Sequence, residues 1–337
     1  MKILIIGGTG LISTSITAQL LARGDDVTIY NRGKSEVRFP GTVRRIIGDR
    51  KQYADFERQM RDAGSFDCVM DMVGYAPQDE ASAVRAFSGR AKHFIFCSTV
   101  DVYTKPYDRY PYREDASRRA LGSYGQDKVR CEDILMDAHR RGDLAVTLIR
   151  PAHTYGEGSG LISSLGSATY LDRLRKGKPI VVHGDGTSIW CSAHVDDVGR
   201  AFVIAAGNPK ALGRAYHTAG EEWMTWNLYH ERVAEAMDAP PPVMVHIPTD
   251  LLVRAAPKRA GVCGINFQYN NIYDNAAARA DIGYCYTVPF VEGARRTIRW
   301  LDARGRIEDS AKDTLDDRLI AAWQRLGDAM AAENLEG

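Results

Sequence analysis

A tyrosine and a lysine four residues apart open a long helical stretch that reads Tyr124-Gly125-Gln126-Asp127-Lys128, so both side chains share one helical face. An ammonium beside a phenol favours the phenolate and lowers the phenol's pKa, which makes it usable as an acid and base near neutrality. Upstream, an apolar run ends in Cys97-Ser98-Thr99-Val100-Asp101-Val102-Tyr103, and the Thr99 hydroxyl could orient the same substrate oxygen as the phenol. By itself this spacing is common and also describes a solvated helix face. Its meaning depends on what the rest of the chain builds around it.

The N-terminus supplies a second constellation. Directly after the apolar run Ile3 to Ile6 comes Gly7-Gly8-Thr9-Gly10-Leu11-Ile12-Ser13, followed by a helical pattern. Glycines in a strand-to-helix turn let the backbone approach a pyrophosphate, which then sits at the helix N-terminus. The third position of the motif needs a small residue for helix–sheet packing, and Ser13 is small. At the end of the second strand, where an NAD site carries an acidic residue for the ribose hydroxyls, this chain reads Tyr30-Asn31-Arg32-Gly33-Lys34. With no carboxylate to repel it, a 2′-phosphate could be held by Arg32 and Lys34, so the cofactor expected is NADP, with NAD as the alternative. Asp49, in Gly48-Asp49-Arg50, is placed for the adenine side of the cofactor, or it only forms a turn.

The elements that must position these residues follow from periodicity. Ile3 to Ile6, Val27 to Tyr30, Arg45 to Ile47, Cys68 to Met72, His93 to Cys97 and Val146 to Ile149 read as buried strands. Ser13 to Arg23, Tyr53 to Asp62, Asp79 to Phe87 and Ser123 to Arg140 read as the helices between them. Alternation of this kind implies right-handed crossovers and a parallel sheet with helices on both faces: an α/β Rossmann, doubly wound domain over residues 1–155. Beyond Pro151 the pattern loosens, with helices Leu171 to Lys176, Asp197 to Ala206, Trp226 to Met237 and Phe290 to Arg304, a strand Ile180 to Val182, and a proline-rich connector Ala239 to Val243. Residues 156–337 read mainly as a substrate-binding lobe, with some segments returning to the first domain. Asp309 to Asn334 reads as a surface helix.

Composition narrows the partners. Forty-four Lys and Arg against 43 Asp and Glu leave a net charge of +1, without the basic excess of counterion-driven nucleic-acid binding. The apolar opening runs into glycines, as a strand does and a signal peptide does not, and no apolar run reaches the roughly 18 residues of a membrane span. The six cysteines, Cys68, Cys97, Cys131, Cys191, Cys263 and Cys285, lack CxxC spacing and read as reduced packing residues, so neither a zinc site nor a disulfide framework is expected. The expected compartment is the cytoplasm.

Taken in order, the GGTGxxS turn, the ST…Y strand end, Tyr124/Lys128/Glu132 as YGxxKxxxE, and Arg150 to Gly156 as RPxxxYG resemble the extended short-chain dehydrogenase/reductases, which include the NAD(P)-dependent sugar epimerases and dehydratases. The similarity continues through Gly177-Lys178-Pro179, Gly184-Asp185-Gly186 and His194-Val195-Asp196-Asp197-Val198, and on to Asp274 to Tyr284. The resemblance implies that Tyr124 exchanges the substrate hydroxyl proton while a hydride moves to the nicotinamide, that Lys128 also binds the cofactor ribose, that the substrate is a nucleotide sugar passing through a transient ketone, and that the protein is a homodimer.

Four positions depart from the family pattern. Asp101 stands where dehydratases of this family carry a glutamate, and either removes a proton beside the transient ketone or only bonds nearby backbone; Val100 replaces the dehydratase aspartate. Trp190 replaces an arginine that usually pairs with the substrate diphosphate, and an indole cannot act as a guanidinium fork. His153 replaces a usual asparagine and contacts phosphate or a sugar hydroxyl, or packs as a satisfied histidine. Arg259 is the candidate for the missing cation. An NADPH-dependent ketoreductase of a non-nucleotide substrate is the alternative reading. Trp190 and His194 also resemble a subgroup of chloroplast stem-loop RNA-binding proteins, which would make the chain an RNA-binding scaffold. The intact Thr99, Tyr124 and Lys128 set and the balanced charge argue against that.

Overall fold

Strict alternation in the first strand decides the layering of the dinucleotide half. In the computed structural model, which describes residues 1–166 and 168–333, β1 (Lys2–Ile6) sends Ile3 and Ile5 into one apolar core and Leu4 and Ile6 into another, as the two-residue period of a strand requires. The first core holds Ile16 and Leu20 of α1 (Leu11–Ala22) and Val198 and Phe202 of the helix Val195–Ala205. The second holds Phe56 and Met60 of α2 (Tyr53–Ala63), Ala83 and Phe87 of α3 (Pro77–Phe87), and Cys131 and Leu135 of α4 (Ser123–Arg140). Fully burying each of the Ile, Leu, Val, Phe and Met side chains among them contributes about 1.5–3 kcal/mol. Both faces of the sheet are therefore covered, which is the condition for an all-parallel sheet.

The remaining strands are β2 (Asp26–Asn31), β3 (Arg44–Ile47), β4 (Cys68–Asp71), β5 (Phe94–Cys97) and β6 (Val146–Pro151), with a seventh at Ala215–Thr218. Their order is Ala215–Thr218, β6, β5, β4, β1, β2, β3, all parallel. The chain reverses direction across the sheet between β1 and β4, and at such a switch point a crevice opens outside the carboxyl ends of the strands. The Gly7 turn, Asp71 and the Cys97–Thr99 strand end all lie at that edge.

The seventh strand was missing from the sequence reading because its segment, Ala-Tyr-His-Thr, carries polar side chains that are nonetheless fully buried. His217 is satisfied there by the Tyr103 hydroxyl and the Asp274 carbonyl. Asp197 gives a second tertiary tie. It is fully buried and accepts from Thr287 N at 2.8 Å, Thr287 Oγ1 at 2.6 Å and Val288 N at 2.9 Å, with Arg200 paired to it at 2.9 Å.

The chain divides into two units, the first comprising 1–154, 192–221 and 273–288, the second 155–191, 222–272 and 289–337. The second unit has its own core, in which Trp226 meets Trp190 at 4.8 Å and Phe267 at 4.6 Å between ring centroids. It contains a parallel strand pair, Ile180–His183 with Met244–Ile247, and a short antiparallel pair, Ile189–Trp190 with Met224–Thr225. Its C-terminal segment forms a 3-10 turn at Ser310–Lys312 and a helix Leu315–Ala332, and Asn334 lies outside the described residues. That helix is not purely a surface element, since Asp316 and Ile320 are buried. Five cysteines are buried, but Cys285 is exposed and does not pack in the core as expected.

Candidate functional site

The glycine turn has the backbone that the motif demands. Gly7 and Gly8 have φ of +116° and +85°, and a Cβ on Gly8 would lie 2.6 Å from Ile29 Cγ2, so both conformation and space exclude a side chain. Gly10 caps α1, and its N–H donates to the Ser13 hydroxyl at 2.8 Å. Ser13 is thus more than a small packing residue. A cleft of about 390 Å³ is lined here by Gly7, Thr9, Gly10, Asn31, Arg32, Lys34 and Asp49, among others. Leu11 and Ile12 line a neighbouring cleft of about 280 Å³ together with Thr99, Tyr124 and Lys128. Gly10, Val73 and Tyr75 belong to both. A positive-φ cradle at a helix N-terminus between two adjoining clefts fits a dinucleotide.

Around the first cleft the side chains are already engaged. Asn31 donates from Nδ2 to Gly7 O at 3.1 Å and accepts from Gly33 N at 2.9 Å through Oδ1, so the residue in the acidic position braces the glycine turn. Asp49 accepts from Lys51 N at 3.0 Å, the turn-forming role, while still lining the cleft. Arg50, which sequence reasoning missed, is buried, paired with Asp71 and donating to Asp79 O at 2.7 Å. Only the fold could reveal this, because Asp71 and Asp79 meet Arg50 through β4 and the start of α3.

Thr99, Tyr124 and Lys128 come together in the second cleft, as their spacing suggested. Tyr124 is 45% exposed, and its phenol lies close enough to the Thr99 hydroxyl to be influenced by it. Thr99 Oγ1 also accepts from Asp101 N at 3.1 Å, starting the 3-10 turn Val100–Val102. Gly125 makes the geometry possible: a Cβ there would lie 2.2 Å from the Asp101 carbonyl oxygen, so only glycine lets α4 approach that turn. Asp101 sits 3.7 Å from the buried ammonium of Lys105.

The expected effect of Lys128 on the phenol is corrected by the structure. Lys128 is 1% exposed, and its Nζ donates to Gly74 O at 2.8 Å and Cys97 O at 2.6 Å. It lies over the rings of Phe96, Tyr75 and Tyr124 at 4.5, 5.1 and 5.9 Å from their centroids. The Tyr124 phenol is pushed above its ordinary value, by burial first and then by Cys97, Asp101 and Tyr75, with the Thr99 hydroxyl opposing. The ammonium gives two of its donors to backbone carbonyls and lies among aromatic rings, and in this structure it does not bring the phenol below its ordinary value.

Behind the strand end lies a buried network that gives the remaining motif residues their place. Glu132 accepts from Arg150 Nε at 2.8 Å and Nη2 at 2.7 Å, from Arg118 Nη1 at 2.8 Å and from Ser98 Oγ at 2.5 Å. Arg150 Nη1 continues to the Tyr103 hydroxyl at 2.7 Å and Glu114 O at 2.8 Å. Burial pushes the Glu132 carboxyl up, but Arg150, Ser98 and Arg118 together hold it below the ordinary range. The network ties α4, which carries Tyr124 and Lys128, to the β5 end that carries Thr99.

The three substrate candidates fare differently from expectation. His153 Nδ1 is hydrogen-bonded to Ser192 Oγ at 2.8 Å, and burial pushes it down to about 4, so near neutrality it is a neutral, partnered imidazole and no cation for a phosphate. Trp190 is a 4%-exposed member of the second unit's aromatic core. Arg259 donates to Leu165 O at 2.7 Å and pairs with Asp313 at 3.0 Å, so its guanidinium has a structural task. Each of the three thus already has a place among protein partners.

Residues 3–219 match the NAD dependent epimerase/dehydratase family. The chain belongs to that family. It is thereby of the extended short-chain dehydrogenase/reductase type. Among curated relatives, the 41 kDa chloroplast stem-loop binding protein b of Arabidopsis thaliana is 30% identical over 258 residues, 73% of this chain and 65% of that protein; the chain thus spans just under two thirds of its length. The 2′-dehydrokanamycin reductase of Streptomyces kanamyceticus is 27% identical over 241 residues, 71% of this chain and 68% of that one. In fold, this epimerase/dehydratase family member is similar to the solved UDP-glucose 4-epimerase of Thermotoga maritima, with a TM-score of 0.73, 19% identity, and coverage of 90% of this chain and 99% of that one. Among the described residues no helix is long and apolar enough to cross a membrane.

Proposed function

We propose that the protein uses NADP, with NAD as the alternative, to oxidise a sugar hydroxyl to a transient ketone and return the hydride to the same substrate after epimerisation or loss of water, with a nucleotide sugar as substrate. The observation that carries this reading is the meeting of Thr99, Tyr124 and Lys128 in one cleft beside the glycine cradle. Gly7, Thr9, Gly10, Leu11, Ile12, Asn31 and Asp49 would hold the dinucleotide, with Arg32 and Lys34 on a 2′-phosphate. The dinucleotide supplies a hydride acceptor and donor at its nicotinamide ring.

The chain's own residues do the rest. Tyr124, as its phenolate, takes up the substrate hydroxyl proton at the phenol oxygen as the hydride leaves and gives it back when the ketone is reduced, and Thr99, lining the same cleft, offers its hydroxyl to the same substrate oxygen. Lys128 is anchored by two carbonyls and lines the cleft, where its remaining donor would bind the cofactor ribose. Asp101 is the candidate base for a proton on the neighbouring carbon, since its charge is close enough to Tyr124 to raise the phenol.

A second reading is favoured by a specific observation: Trp190, His153 and Arg259 provide no cation for a diphosphate. That, with the resemblance to 2′-dehydrokanamycin reductase, supports an NADPH-dependent ketoreductase of a non-nucleotide substrate. One experiment separates the two. The purified protein is incubated with a panel of nucleotide sugars in deuterated water, and with NADPH and small sugar ketones. An epimerised or dehydrated sugar without net redox change supports the first reading, with deuterium at a carbon marking Asp101 as a carbon base; stoichiometric NADPH consumption supports the second. Tyr124→Phe should lower turnover by about 10²–10⁴-fold in either case while dinucleotide affinity stays within about twofold. A fully active Tyr124→Phe protein would remove the phenol from the mechanism.

A further inference from the structure

The loop after β4 presents an aromatic side chain that neither the motifs nor the proposed chemistry uses. Its backbone is fixed from three directions. Tyr75 N and Ala76 N donate to Asp79 Oδ2 at 2.9 and 3.0 Å, and Asp79 is itself gripped by Lys51 Nζ at 2.7 Å and the Tyr53 hydroxyl at 3.1 Å. Gly74 O accepts from Lys128, and from beneath, a Cβ on Gly74 would meet Glu80 Oε1 at 1.8 Å and the Phe96 ring at 2.9 Å. On this pinned backbone the Tyr75 side chain is 50% exposed. It lines both clefts, a property it shares only with the glycine turn's Gly10 and with Val73.

Because this half-exposed aromatic stands on a rigid loop and lines both clefts, burying its free half against a ligand there would be favourable. Any ligand long enough to occupy both clefts has to cross Tyr75. We infer that Tyr75 is a clasp: its ring closes on the dinucleotide at the waist between the nucleotide and nicotinamide clefts, and so sets how long the cofactor stays bound. The inference rests on the dinucleotide reading above and adds to it the residue that controls retention. Retention matters because restoring a hydride to the same substrate needs a cofactor that stays, whereas net reduction needs one that leaves. A dinucleotide spanning both clefts would bring ribose and phosphate to this ring, and ring contact with sugar C–H groups and donation from the hydroxyl to a phosphate oxygen would be the two interactions available.

Half of a tyrosine's area, at about 25 cal/mol per Å² and less the cost of ordering the ring, corresponds to an affinity effect of about 10- to 60-fold. The test is displacement of NADPH or NADH from the full-length protein, followed by stopped-flow fluorescence, for wild type, Tyr75→Ala, Tyr75→Leu and Tyr75→Phe. Tyr75→Ala is expected to speed release by about 10- to 60-fold with association within about threefold, Tyr75→Leu to fall between it and wild type, and Tyr75→Phe to isolate the hydroxyl. AMP, which fills only the nucleotide cleft, should lose less than about threefold in Tyr75→Ala. Unchanged melting temperatures for the variants establish that the fold is intact. If wild type binds the dinucleotide and Tyr75→Ala releases it within twofold of the wild-type rate, the clasp is wrong while the cofactor reading stands. Wild type binding no dinucleotide overturns both.

Discussion

Removing the Glu132 carboxylate should be among the most damaging single changes available outside the cleft. Glu132→Ala strands Arg150, which is 3% exposed and would keep only the Tyr103 hydroxyl and the Glu114 carbonyl as acceptors. Breaking one side of a buried ion pair costs about 3–5 kcal/mol, against a total of about 5–15 kcal/mol for a folded domain. The control is Asp127→Ala, which removes the exposed partner of Arg130 on the same helix and should cost no more than about 0.5 kcal/mol. Urea unfolding followed by circular dichroism measures both, and Glu132→Ala/Arg150→Met completes the cycle by removing the stranded guanidinium as well. We expect the double variant to recover much of the loss, so that the two single effects are far from additive. The sign with pH follows from the depressed carboxyl: its contribution is fully present above the unfolded glutamate value of about 4.3 and is lost as pH falls through the lower folded value. Glu132→Ala should lack that acid limb. A loss within about 1 kcal/mol, or strict additivity in the cycle, would refute the view that this network holds α4 to the end of β5.

Two further outcomes follow from the same structure. Burial pushes His93 and His183 down to about 4 and lowers His217 and His230 to about 3, and all four are at most 2% exposed. Depressed histidines favour the unfolded state once it can bind their protons, so stability is fully present above about pH 6.5. Below that it falls by up to about 1.4 kcal/mol per pH unit for each histidine. Thermal melts at pH 7.5 and 5.5 should differ sharply, and a flat profile between them would count against neutral buried imidazoles. At the other end of the site, Arg32→Ala combined with Lys34→Ala should weaken NADP(H) by about tenfold or more and NAD(H) by little, measured as Kd by fluorescence titration. Equal loss for both cofactors would mean the two cations do not read a 2′-phosphate.

Much of this protein was legible in one dimension. Periodicity placed β1, β2, β4 to β6 and α1 to α4 within a few residues of their ends, because strands buried on both faces and helices packed on one face have unambiguous apolar patterns, whereas β3, expected to be buried, is a mostly exposed edge strand. The glycine turn and the Tyr124/Lys128 pair were legible for a related reason: both are local, and their chemistry is written in adjacent residues. What only the tertiary structure decided is where buried polar groups find partners. Ala215–Thr218 joins the sheet because Tyr103 and Asp274 satisfy His217, and residues 273–288 belong to the first unit, where Asp197 pays for its burial with Thr287 and Val288. Trp190 and Arg259 looked available for a ligand because sequence cannot show that an indole is stacked in a core or that a guanidinium is already paired. Lys128 looked poised to acidify Tyr124 because helical spacing fixes only which face a side chain shares. The carbonyls of Gly74 and Cys97, brought to that face by two other strand ends, decide what its ammonium does.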